Sequence, residues 1–257
     1  MTQVVFQFGI LIPISAIIII GTLLLFHSVI KTGTQKTWAL RSISILILVG
    51  EFVKIVYFVG ENNGVLNHSQ LPFHLCSLFL VTFAINAFCN GKVSKFLLPF
   101  SFFGGFMGGL APFMVPYAIY DYLVVHTMNT GMIHWVGIHS ILYHVCMIIF
   151  AISLVMFKMY KPTLKGVAQS MMVVIPSALI MIGVMFFIEG MYVPTNSDTH
   201  LGVNYFELGP YGSVLKPIFD IVTYPVGVFL YFMIIAALLV IVWAGFTYVP
   251  RIWKRET

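Results

Sequence analysis

The sequence predicts an all-α fold, a seven-helix transmembrane bundle, on three observations. Seven apolar stretches divide the chain, and each is long enough to cross a bilayer. Of the 13 Lys and Arg residues, all but Lys54 and Lys216 fall in alternate gaps between those stretches or in the C-terminal tail. With 60% hydrophobic and 8% charged residues and a mean hydropathy of +1.01, the chain has too little polar material to cover a water-soluble surface.

A helix rising about 1.5 Å per residue needs about 20 apolar residues to cross about 30 Å of hydrocarbon. The predicted spans are Val4–Ile30, Leu40–Gly60, Leu71–Asn90, Phe96–Ala118, Met132–Phe157, Val167–Ile188 and Thr223–Tyr248. The first is too long for a signal-peptide core, lacks a basic leading segment and a small-residue cleavage site, and is expected to remain as a helix. Lys31, Lys36 and Arg41 follow the first span, Lys92 and Lys95 the third, and Lys158, Lys161 and Lys165 the fifth, while Arg251, Lys254 and Arg255 form the tail. The other gaps carry Glu61, Asp121, Glu189, Asp198, Glu207 and Asp220. By the positive-inside rule the basic gaps and the C-terminus are cytoplasmic and the N-terminus is outside. Seven crossings also require termini on opposite sides. Trp38, Trp243 and Trp253 then mark the inner interface and Trp135 the outer. Residues 1–257 read as a single integral membrane domain, multi-pass in the cell membrane, and the excess of Lys over Arg fits a bacterial plasma membrane.

The net charge of +5 does not point to nucleic acid, because the bases sit beside membrane ends where anionic headgroups are nearer. Membrane lipids are the expected partners, and nucleic acid is not. Cys76, Cys89 and Cys146 all lie inside spans, so no disulfide framework is implied.

Polar residues within the spans are the candidates for chemistry. Glu51 and Lys54 lie three apart near the middle of the second span, on one face; ionised groups at that depth face the bundle interior and mark a cavity or an ion pair. The third span opens Leu71-Pro72-Phe73-His74-Leu75-Cys76-Ser77. Pro72 suits the first turn of a helix, and His74 and Ser77 share a face. Cys76 lies about 200° round the helix from His74, so a reactive Cys76 needs a base from another helix. The fifth span carries His134, His139 and His144, with Tyr143 beside the last. Steps of five residues turn about 500°, leaving His134 and His144 about 80° apart and His139 to one side. That is no i, i+4 zinc row, and neither a metal nor a cofactor is expected. His144, about 18 Å along its helix, reaches mid-membrane.

Pro13, Pro112 and Pro176 fall within spans, where kinks account for Pro13 and Pro176. In the fourth span Gly104, Gly105, Gly108 and Gly109 form two overlapping small-xxx-small pairs. They provide for close packing, for a broken helix lining a cavity, or for a partner membrane protein at the Gly104–Gly109 face. The outer loop, residues 189–222, is rich in turn residues and includes Gly202-Val203-Asn204-Tyr205, as a cap over a site would.

Together, Glu51, the Leu-Pro-x-His-Leu-Cys opening, the Gly-rich span ending at Pro112, His144 and Gly202-Val203-Asn204-Tyr205 resemble the YwaF-like family of bacterial integral membrane proteins, from about Leu40 to the last span. The chain is also distantly similar to an animal multi-pass family associated with phospholipid acyl transfer through a Cys and a His. Carried over, His144 matches the histidine. The animal cysteine stands immediately before the histidine corresponding to His74, where this chain has Phe73, and Cys76 lies one turn further in.

Two classes of function follow. One is an intramembrane lipid acyltransferase or hydrolase open to the outer leaflet, with Cys76 as nucleophile, His144 as base, His74 or Asn204 as oxyanion donor, Glu51 orienting a histidine, and Lys54, Ser77, Tyr143 and Tyr205 lining the cavity. The other is a transporter or substrate-binding subunit with a polar pathway at Glu51 and Lys54. A scaffold using only the glycine face is the blander third.

Overall fold

The computed structural model describes residues 7–61, 77–114, 135–192 and 224–253. Among them all regular structure is helical: α1 (Ile12–Val29, after a π-helical turn at Gln7–Leu11), α2 (Gly33–Glu61), α3 (Leu78–Phe88), α4 (Lys92–Met114), α5 (Trp135–Met156), α6 (Leu164–Tyr192) and α7 (Tyr224–Trp253). Six are long and apolar enough to cross a membrane. The exception is α3, whose 11 residues give about 16 Å of helix, half a hydrocarbon layer. The predicted beginning of that span, Leu71–Cys76, lies outside the described residues, as do residues 193–222 of the outer loop.

Three connections are short, and polar groups close them. At the start of α2, the Gln35 N–H donates to Thr32 Oγ1 at 3.2 Å, while Gln35 Oε1 accepts from the Thr32 and Lys31 N–H groups at 3.0 and 2.9 Å. This reciprocal capping box satisfies backbone donors that a new helix leaves open. Between α3 and α4, Asn86 donates to Ser101 Oγ at 2.6 Å and accepts from Ser94 Oγ at 2.9 Å, tying the two helices together. After α5, the Met159 N–H returns to the Leu154 carbonyl and the Lys158 N–H to the Val155 carbonyl. That is a Schellman ending, with Lys158 at φ 61° where glycine is usual. Thr163 then caps α6, accepting from the Gly166 N–H at 3.0 Å. Pro13 lies within the apolar span Gly9–Val29, as the sequence predicts, where the π-helical turn Gln7–Leu11 passes into α1 with Leu11 in helical backbone geometry.

The chain forms two compact units, Met1–Tyr57 with Phe79–Lys161, and Phe58–Leu78 with Pro162–Thr257. In the first, α4 packs extensively on α5. The glycines explain how. A Cβ at Gly104 would lie 2.8 Å from the Phe79 ring, one at Gly105 2.8 Å from Phe83, one at Gly108 2.9 Å from Met147, and one at Gly109 2.5 Å from Ile148 and 3.0 Å from the His144 carbonyl. The glycine face is thus filled by side chains of α3 and α5, and a stack of rings continues it: Phe79 on Phe100 at 4.8 Å and Phe83 on Phe150 at 4.0 Å. In the second unit α6 packs along α7, with Ala178 fully buried against Met181, Ile182, Val228, Tyr231 and Phe232.

Candidate functional site

Within the first unit, α2 places Glu51 and Lys54 on adjacent turns of one face, and the two side chains form an ion pair. Glu51 is only 6% exposed. Its other oxygen, Oε2, faces α5, where His139 Nε2 stands 3.8 Å away. That separation is too long for a hydrogen bond. The approach depends on Gly50, since a Cβ there would meet the His139 ring at 3.3 Å.

His139 belongs to a stripe on α5. Trp135, His139 and Tyr143 recur every four residues and therefore share a face, with ring centroids 6.1 Å apart for the first pair and 5.8 Å for the second. His144 lies about 100° round the helix from Tyr143, and the two rings meet edge to face at 5.3 Å. Its Nδ1 is 2.7 Å from the Ser140 carbonyl. A carbonyl can only accept, so Nδ1 carries the proton and, in the neutral ring, Nε2 keeps its lone pair. Nε2 is therefore the nitrogen of this ring that can accept a proton.

Two concavities adjoin this stripe. A cavity of about 80 Å³ is lined by Gly50, Trp135, His139, Tyr143 and Cys146, with Leu46 and Leu142 at its edge. A larger groove of about 590 Å³ runs between α1, α2 and α5, with Phe26, Ala39, Ser42 and Val145 among its walls. Leu46, Leu142 and Cys146 line both. Two buried ring nitrogens at the cavity, Trp135 Nε1 and His139 Nε2, have no hydrogen-bond partner among the described residues.

Of the residues the sequence singled out, Glu51, Lys54, Tyr143 and His144 fall in this unit, the first two on α2 and the last two on α5. Ser77 immediately precedes α3 and is half-buried. Cys76, His74, Asn204 and Tyr205 lie outside the described residues. His139, placed to one side by the histidine spacing, is the histidine that faces Glu51. Trp135, read as an interface marker, lines the cavity. Their four-residue spacing with Tyr143 was the signal for both. Among the described residues no three His, Cys, Asp or Glu side chains gather as a metal site would need.

In comparison with known proteins, the model of the TMEM164 family matches residues 4–247. No curated protein and no solved structure matches the chain.

Proposed function

Because the chain belongs to the TMEM164 family, a multi-pass membrane family, we propose that it is an intramembrane enzyme acting on the acyl ester of a membrane lipid, by transfer or hydrolysis. The observation that carries the proposal is the buried Glu51 carboxylate facing His139 at the small cavity next to an apolar groove between α1, α2 and α5, with His144, its Nδ1–H held by the Ser140 carbonyl, on the same helix as His139. The likeness to the YwaF-like and animal acyl-transfer families supports it.

In the proposed reaction His144 Nε2 takes the Cys76 thiol proton as sulfur attacks the ester carbonyl, and N–H donors such as His74 or the Asn204 side chain stabilise the oxyanion. Collapse breaks the C–O bond, and the departing lysolipid alkoxide takes the proton back from His144. Water or an acceptor alcohol, deprotonated by the same nitrogen, then cleaves the thioester and regenerates the thiol. Glu51 and His139 hold the electrostatics of the neighbouring turn. The site opens toward the outer leaflet of a bacterial plasma membrane, with seven crossings, the N-terminus outside and the C-terminus in the cytoplasm. A transport pathway through Glu51 and Lys54 has less support, since these two side chains neutralise each other within one turn of α2.

Turnover of an acyl-labelled phospholipid by the purified chain in nanodiscs is the test. Cys76→Ala and His144→Ala should each lower the rate at least about 100-fold, the scale of a lost nucleophile or base. Undiminished turnover in both variants removes the proposal.

A further inference from the structure

We infer that the groove between α1, α2 and α5 holds an acyl chain of a membrane phospholipid, and that Trp135 and His139 bind the ester carbonyl at the head of that chain. The inference rests on the lipid-ester function proposed above and names the elements that seat the substrate. Three observations lead to it.

First, most of the groove is walled by membrane-spanning helices, where the medium at its mouth is hydrocarbon, with one end reaching Thr34 and Gln35 at the α1–α2 connection, and its volume of about 590 Å³ falls within the range of ligand pockets. Its rim is open and apolar, with Leu46 and Leu142 exposed. Lipid tails are the abundant molecules of that shape at that depth.

Second, the groove and the small cavity are neighbours, with Leu46, Leu142 and Cys146 lining both. A chain lying in the groove therefore brings its head to the Cys146 side of the cavity that Trp135 and His139 line. Third, those two residues carry buried ring nitrogens that make no hydrogen bond among the described residues, His139 Nε2 standing 3.8 Å from the Glu51 carboxylate. A buried indole N–H is costly unless it finds an acceptor, and the ligand supplies one. The cavity, about 80 Å³, has room for one small polar group and not for a phospholipid headgroup.

The chemistry of the cavity selects an ester over a free fatty acid. The Lys54 ammonium is already engaged by Glu51, and the Glu51 carboxylate itself lies 3.8 Å from His139 Nε2. A second carboxylate would sit beside the first, and among the described residues no Lys or Arg lines the cavity. A neutral carbonyl accepts the N–H without that repulsion.

The experiment uses the full chain in nanodiscs of dialkyl ether phosphatidylcholine, which has no ester carbonyl. One diacyl phosphatidylcholine per protein is added, bearing a photoreactive diazirine in the acyl chain and ¹³C at the ester carbonyl. After irradiation, peptide mapping should place the label on groove residues such as Ala39, Ser42 and Leu142 in preference to the exposed Phe229 face of α7. Ala39→Trp and Ser42→Trp, two independent ways to fill the groove, should each cut groove labelling severalfold and leave the Phe229 face unchanged. In infrared difference spectra a hydrogen-bonded, lowered ¹³C=O band should appear in the parent protein and be lost in Trp135→Phe, which keeps the ring and removes the N–H. Labelling no stronger in the groove than at Phe229, labelling unaffected by either tryptophan, or a carbonyl band indifferent to Trp135→Phe each overturns the inference. Groove labelling and the shifted band together with full turnover by the Cys76→Ala and His144→Ala variants would remove the catalytic proposal and leave the binding site standing.

Discussion

Removing the Glu51 carboxylate is the sharpest perturbation of this fold. The side chain is 7% exposed and its partner Lys54 19%, so Glu51→Ala leaves an ammonium largely out of water with its counter-ion gone. Breaking one partner of a buried ion pair costs about 3–5 kcal/mol, and the flexible lysine recovers part of that by snorkelling, so a loss of about 3 kcal/mol is expected. That corresponds to about a 150-fold shift toward the unfolded state. Lys54→Met strands the carboxylate and should cost a similar amount. Glu51→Leu/Lys54→Met removes both charges together and should lie within about 1 kcal/mol of the parent. Reversible unfolding in mixed detergent micelles measures all three, and the cycle should show a coupling of at least about 2 kcal/mol. Single variants within about 0.5 kcal/mol of the parent, with no coupling, would refute the reasoning that the pair is desolvated and mutually dependent.

Other expectations follow from the packing and the caps. Gly109→Ala places a methyl 2.5 Å from Ile148 Cγ1 and 3.0 Å from the His144 carbonyl, and should destabilise by about 1–3 kcal/mol in the same unfolding assay. Gly183→Ala on α6 meets nothing within 4 Å and should stabilise by about 0.5–1 kcal/mol, so equal effects at the two glycines would contradict the packing described. Thr163→Ala removes the cap of α6 and should cost about 1 kcal/mol, while Lys158→Gly relieves a left-handed backbone and should be neutral or stabilising. In a Cys76→Ala/Cys146→Ala background, exposed Cys89 should react with an impermeant maleimide in inverted vesicles and resist it in intact cells; the reverse pattern would invert the proposed topology.

The helices and their order were legible in the sequence because the bilayer imposes length and hydropathy directly. The basic gaps likewise mark three connections that the structure closes with tight polar turns at Thr32–Gln35, Asn86–Ser94 and Lys158–Thr163. The glycine spacing announced a close approach, but which rings would fill it, Phe79 and Phe83 from α3, depends on neighbours that spacing along one helix does not encode. The same limit hid His139. Comparing the three histidines with one another fixed their angles round α5 but not which angle faces α2, and the buried Glu51 settles that from the other side. The groove could not be read at all, being a property of three helices together. The place of Pro13 inside the first span was legible from hydropathy, but the change there from π- to α-helical hydrogen bonding was not.

The central claim is that a thiol on the third apolar stretch takes an acyl group from membrane lipid with His144 as its base. Peptide mass spectrometry after incubation with phospholipid addresses it most directly. The account predicts a hydroxylamine-labile acyl adduct on Cys76 that is lost in His144→Ala. Phospholipid turnover with Cys76 unmodified, or an adduct that forms equally well without His144, would contradict it.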